Sequence, residues 1–154
     1  MQVHDVDSIT EEILIQAPAE RIFRALTDPA ELMAWWGDPA AYQCTSWVAD
    51  VRVGGRWRCE GRNVRGGTFT VEGEFTLVEP PRRLGYTWKP SWVETATQVI
   101  VELEPRGAST FLRWTHHGFG GNAKAIEDHK HGLPQVVAWL KRYAEPGTAN
   151  STRN

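Results

Sequence analysis

The sequence predicts an α+β domain in which a curved antiparallel sheet of six to seven strands wraps around one long C-terminal helix, with two short helices after the first strand. Three observations carry this. Residues 42–117 alternate apolar and polar side chains at a period of two and are punctuated by Gly and Pro, the pattern of a strand meander. Residues 17–36 and 122–143 space their apolar side chains at helical period instead. The breaks between strands are short, and short connections join antiparallel neighbours.

The elements follow in order. Residues 8–17 read as a first strand. Pro18 and Glu20 open a short helix whose apolar face is Ile22, Phe23 and Leu26. Asp28-Pro29 restarts the pattern, with Asp28 as N-cap, and Leu32, Trp35 and Trp36 form the stripe of a second helix that Gly37, Asp38 and Pro39 end. A strand over 42–49 follows. Gly54-Gly55 turns into a strand with Trp57 and Cys59 inward, and Gly66-Gly67 marks a hairpin. In the next strand Phe69, Val71, Phe75 and Leu77 share a face, and Gly73 interrupts it where a missing side chain permits a bulge or bend. Pro80-Pro81 stops that strand, and Leu84, Tyr86 and Trp88 alternate in the next. Thr95, Thr97, Val99, Val101 and Leu103 line one face of the strand after Lys89-Pro90-Ser91. Thr110, Leu112, Trp114 and His116 line one face of the last. Asn122 caps a final helix to about Tyr143, which Pro134 is expected to kink or split. Residues 1–145 form a single domain on this reading, and 146–154, small and polar, form a disordered tail.

At 154 residues the chain is one domain by length, with 41% apolar and 23% charged residues, large enough to bury a core without metal or disulfide staples. A net charge of −2 offers no basic excess to a phosphate backbone, so no nucleic-acid partner is expected. No apolar run reaches the length of a membrane span, and Met1–Thr10 has neither the basic nor the apolar part of a signal peptide, so no membrane association and a cytoplasmic location are the expectations. Cys44 and Cys59 fit no zinc or redox motif. They read as two small buried thiols on consecutive strands, with a cross-strand disulfide as the alternative.

Several stretches in order resemble one family. The run Ala17–Trp36 (APAERIFRALTDPAELMAWW), the segment DVRVGGRW at 50–57, the stretch from Gly73 through EPPRRL (79–84) to Trp88, and TFLRWTHHGF at 110–119 are together similar to the Hsp90 ATPase activator homologue-like (AHSA1-like) domains of the START/Bet v 1-like (SRPBCC) superfamily. The resemblance covers roughly residues 8–143 and implies a helix-grip fold. It does not imply one activity, because that fold hosts lipid carriers, hormone receptors, polyketide aromatase/cyclases and a co-chaperone domain.

Eight of the aromatic residues are Trp, against five Phe and three Tyr. Trp35 and Trp36, about 100° apart on a helix, cannot both face one core, so one packs inward and the other can wall a pocket. Trp57, Phe69, Phe75, Tyr86, Trp88 and Trp114 all point inward. Each alone reads as core. Together they are too bulky to pack a sheet flat on a helix, so some border a cavity between sheet and helix, with Val136 and Trp139 on the helix side. Thr97 and His116 are the inward polar groups. His116 is open to three readings: a hydrogen-bonded structural side chain, an anchor for a ligand, or a general acid/base. His116, His117, His129 and His131 do not have metal-ligand spacing, since strand neighbours face opposite ways and helical i,i+2 positions diverge. No inward carboxylate pair, phosphate loop, GxSxG or Cys–His dyad is present, so neither catalytic residues nor a cofactor are assigned. The expectation is a module that carries, senses or sequesters a small apolar or aromatic molecule. The alternatives are an enzyme like the cyclase/aromatases or small hydratases acting on an aromatic or polyketide-type substrate, and an interaction module for an Hsp90-type chaperone. A homodimer through exposed Trp side chains is a further reading.

Overall fold

The structure is a computed structural model that describes residues 7–146. The expected tail therefore lies, from residue 147 on, outside the described residues, as do the first six residues of the segment read for a signal peptide. The elements are β1 (Ser8–Ile15), α1 (Ala19–Thr27), α2 (Pro29–Trp35), β2 (Gly37–Asp38), β3 (Tyr42–Ala49), β4 (Arg56–Asn63), β5 (Thr68–Glu79), β6 (Arg83–Pro90), β7 (Thr97–Arg106), β8 (Ser109–His117) and α3 (Ala123–Ala144). The strands form one eight-stranded sheet in the order β1-β8-β7-β6-β5-β4-β3-β2, each neighbour antiparallel. The predicted fold class is the observed one: a curled antiparallel sheet closed by a long terminal helix, the helix-grip arrangement. The additional strand is the two-residue β2, formed where Gly37 (φ 122°) and Asp38 pair with Gln43 and Tyr42 instead of simply ending α2.

Alternation along the strands decides what goes inside. In β8 Thr110, Leu112, Trp114 and His116 are all buried, and in β4 Trp57, Cys59 and Gly61 are. The apolar side of α3 supplies Leu133, Val136, Val137, Trp139, Leu140 and Ala144. Fully buried Ile15, Ile22, Leu84, Leu112 and Leu140 each contribute on the order of 1.5–3 kcal/mol by leaving water. The far end of α3 is pinned to the short helices through Glu31. That carboxylate accepts from Arg21 (3.0 Å), Arg24 (2.9 Å) and the Tyr143 hydroxyl (3.1 Å), while Arg21 lies over the Tyr143 ring.

Three local expectations change. Pro134 does not split α3, which runs from Ala123 to Ala144. Pro134 and Lys130 are both exposed, so water can reach the Lys130 carbonyl that lacks its helical donor. In β5 the irregularity falls between Phe75 and Leu77 rather than at Gly73, and beyond it Val78 instead of Leu77 packs on the core. Gly73 is required for a different reason: a Cβ there would lie 1.9 Å from the Thr87 carbonyl oxygen and 2.5 Å from Trp57 Nε1. The third concerns the Trp pair. Trp36 is the C-cap of α2, with extended angles (φ −84°, ψ 106°), so the helical 100° rule does not apply and both Trp35 and Trp36 are buried.

Candidate functional site

Curling the sheet around α3 leaves an interior hollow of about 480 Å³. Its floor is the inner face of β6–β8, with Tyr86, Trp88, Thr97, Val99, Trp114 and His116. Tyr42, Cys44, Cys59, Phe69 and Val71 of β3–β5 form a second wall. Ala125, His129, Leu133 and Val136 of α3 form the roof. Trp36 closes one end, and Trp92 and Val93 stand at another part of the lining. Trp92 is 65% exposed and meets Phe69 edge-on at 6.2 Å.

The predicted residues separate into two groups. Trp36, Phe69, Tyr86, Trp88, Thr97, Trp114, His116 and Val136 border the hollow together. Trp57 and Phe75 do not. They border a void of only about 20 Å³ with Leu26, Leu32, Trp36 and Trp47, on the side nearest α1 and α2. Trp35 and Trp139 line neither space. Trp35 donates Nε1–H to the Ala25 carbonyl (2.9 Å), which turns its ring into the α1–α2 contact. Trp139 packs edge-on against Tyr42 at 5.8 Å and so stands behind the wall. The rings therefore form a packed cluster at one end of the interior. Trp36 lies 5.1–5.9 Å from Trp35, Trp47, Trp88 and Trp114 by ring centroid, and Trp57 lies 5.6 Å from Trp88. The open volume begins beyond them.

The polar groups sit at two places. Near β3–β4, Trp36 donates Nε1–H to the Tyr42 hydroxyl (2.9 Å), and burial pushes the Tyr42 phenol up from its ordinary pKa. Burial does the same to Tyr86, whose hydroxyl has no hydrogen-bond partner among the described residues. Cys44 and Cys59 are both free thiols, so the cross-strand disulfide is not formed. Cys44 pairs with Gly61 and Cys59 with Trp47, across an irregularity between Cys44 and Ser46. The neighbouring Cys44 thiol, then burial, raises Cys59, while Cys59 lowers Cys44 and leaves it the more acidic of the two. Trp88 Nε1 is buried without a partner among the described residues.

The second place is under the start of α3. Thr97 Oγ1 lies 2.6 Å from His116 Nε2 and 3.2 Å from the Trp88 carbonyl oxygen. The His116 ring stacks on Phe119 at 4.8 Å and meets His129 at 4.4 Å. Burial, then the neighbouring His129 and His117, lowers His116 to about 2, so it is neutral at ordinary pH. His129 is held by a contact of 2.8 Å between Nδ1 and the Ala125 carbonyl. Among the described residues the hollow has no Lys or Arg in its lining, and Asp128 is its one ionisable acid outside the phenols and thiols. Among the described residues no group of three or more His, Cys, Asp or Glu is placed to hold a metal ion, and no helix is long and apolar enough to cross a membrane.

Sequence reasoning missed Tyr42, Cys44, Cys59, Phe119 and His129 as lining residues. Two signals were available. Tyr42 and Cys44 share a strand face. Ala125, His129, Gly132 and Val136 follow helical spacing, so His129 belongs with the inward stripe of α3.

The comparisons agree with this architecture. The family model described as activator of Hsp90 ATPase homolog 1-like protein matches residues 16–145. The crystal structure of protein CV1439 from Chromobacterium violaceum is similar at 25% identity and a TM-score of 0.81, covering 91% of this chain and 99% of that one. Protein NE0264 from Nitrosomonas europaea, at 20% identity and a TM-score of 0.77 over 90% of this chain and 94% of that one, shares the fold. DynU16, a protein in the dynemicin biosynthetic locus, is 25% identical with a TM-score of 0.73, covering 92% of this chain and 48% of that one. No curated protein matches the chain.

Proposed function

Because the chain belongs to the activator of Hsp90 ATPase homolog 1-like family, within the START/Bet v 1-like (SRPBCC) superfamily, we propose that it uses the hollow common to helix-grip proteins to bind a small hydrophobic or aromatic molecule, as a carrier, sensor or sequestering module. One observation carries the reading: an interior space of about 480 Å³ bordered mainly by aromatic and aliphatic side chains. That volume is within the range of small-molecule pockets, and well above the roughly 150 Å³ that suffices for benzene. Offset and edge-on contacts with Trp36, Trp88, Trp114 and Phe69 favour flat, apolar ligands. Titration with a library of one- to three-ring aromatics, followed by intrinsic Trp fluorescence and calorimetry, tests it. The expected result is saturable one-to-one binding with a negative heat-capacity change, lost in Val136→Phe, whose larger ring occupies the space while circular dichroism stays unchanged. Absence of saturation with every compound would refute it.

A second reading, that the bound molecule is also transformed, draws support from one arrangement. Tyr86, Val99 and His116 pair in succession across β6, β7 and β8, so a phenol and a neutral imidazole border the same space. Among the described residues neither has a charged partner to assist proton transfer, and so the binding reading ranks first. Turnover of an aromatic polyketide-type substrate that disappears in His116→Gln would reverse the ranking.

A further inference from the structure

The binding reading above is the basis of a sharper one. We infer that the hollow selects an aromatic ligand carrying a neutral proton-donating group, a phenol being the fitting case, and that the His116–His129 pair is the acceptor that selects it.

The tautomers follow from what their partners can do. The Trp88 carbonyl can only accept, so the single proton of the Thr97 hydroxyl is directed to it at 3.2 Å. Thr97 Oγ1 must then accept at its 2.6 Å contact with His116, which puts the imidazole proton on Nε2 and leaves Nδ1 with a bare lone pair. Nδ1 has no hydrogen-bond partner among the described residues. It is not sealed off either, since the one sealed and unpartnered side-chain polar atom there is Trp88 Nε1. His116 borders the hollow, so its lone pair opens onto that space. His129 reaches the same state by a different route. Its Nδ1 donates to the Ala125 carbonyl at 2.8 Å, and in the neutral ring Nε2 keeps a lone pair. The two rings meet edge-on at 4.4 Å, inclined by 66°.

Neither acceptor takes a hydrogen bond from a protein group among the described residues, which leaves both open to a donor on a ligand. Phe119 stacked on His116 and Trp88 edge-on at 6.0 Å keep the surroundings apolar, which makes an unmet acceptor costly and a supplied donor valuable. A carboxylate would bring lone pairs to lone pairs and bury a charge where no Lys or Arg lines the space. An ammonium would find acceptors but only the exposed Asp128 as counter-charge. A neutral hydroxyl on an aromatic ring satisfies the acceptors, and the Trp walls cover its apolar surface.

The test is a matched series with one carbon skeleton, 2-naphthol, 2-methoxynaphthalene, 2-naphthoate and 2-naphthylmethylammonium, each titrated by calorimetry and Trp fluorescence. 2-Naphthol is expected to bind about tenfold or more tighter than its methyl ether, with both ions weaker still. In His116→Phe the naphthol-to-ether ratio should fall to about one while the ether still binds. Two-bond proton–nitrogen NMR reads the tautomer independently and should find the proton on Nε2 of His116. Ether binding as tightly as naphthol, an ion binding tightest, or a proton on Nδ1 would each overturn this inference and leave the cavity reading standing. No saturation by any of the four would overturn both.

Discussion

Gly73→Ala is the most demanding test of how closely β5 and β6 pack. The added methyl would sit 1.9 Å from the Thr87 carbonyl oxygen, where real Cβ atoms keep at least 3.0 Å, so β5 and β6 must part by about 1.1 Å. The atoms in the way are backbone, and a side-chain rotation cannot relieve them. Forcing a methyl into such a site costs about 1–3 kcal/mol. The same separation breaks the 3.2 Å bond from Trp57 Nε1 to the Thr87 oxygen, a further loss of about 0.5–1.5 kcal/mol. Together the loss is about 1.5–4.5 kcal/mol, a fall of roughly 3–18 °C in melting temperature for a chain of this size. Gly132→Ala is the matched control. A Cβ there meets nothing within 4 Å, and the residue lies inside α3, so the change should stabilise by about 0.5–1 kcal/mol through helix propensity and a less flexible unfolded chain. Thermal melts of both variants by circular dichroism check the pair. If Gly73→Ala melted no lower than the wild type, or no lower than Gly132→Ala, the close approach of β5 and β6 would be wrong.

Other outcomes follow from the same structure. Thr110, fully buried, donates to the Ala17 carbonyl at 2.8 Å; Thr110→Val should cost about 1–3 kcal/mol in urea unfolding while Thr110→Ser stays closer to wild type, and equal losses would contradict the hydrogen bond. His116 is held at about 2 when folded against 6.5 when free, so between those values the unfolded chain binds the extra proton. Its contribution is intact above about pH 6.5 and erodes as pH falls, by up to about 1.4 kcal/mol per unit. Urea titrations at pH 7.5 and 5.0 should show a larger loss for the wild type than for His116→Gln. Iodoacetamide should alkylate Cys44, half-buried and the more acidic thiol, before buried Cys59, and a ligand in the hollow should slow it; peptide mass spectrometry showing Cys59 modified first would contradict the pairing.

The meander and its inward face were legible in the residues because a strand has one exact consequence: alternate side chains leave on opposite sides. Thr110, Leu112, Trp114 and His116 could be placed inside from that alternation, and the capped helices from Asp28 and Asn122, whose side chains do accept from Ala30 and Ala125. Periodicity failed where the backbone left its period. Trp36 steps out of α2 into extended backbone, and the irregularities at Cys44–Ser46 and Phe75–Leu77 shift the faces of β3 and β5. It also could not separate rings that pack solidly from rings that border a void.

By itself, then, the sequence determined the class of fold, the order of its elements and which side chains leave the sheet inward. Only the tertiary structure decided that Trp57 and Phe75 meet a packed cluster while Trp88 and Trp114 face open space, that Trp35 turns into the α1–α2 contact, and that His116 meets His129. The direction of a side chain is a local property of φ and ψ. The distance to the opposite wall is set by how far seven strand pairings curl and by where α3 comes to rest, and no window of neighbouring residues contains it.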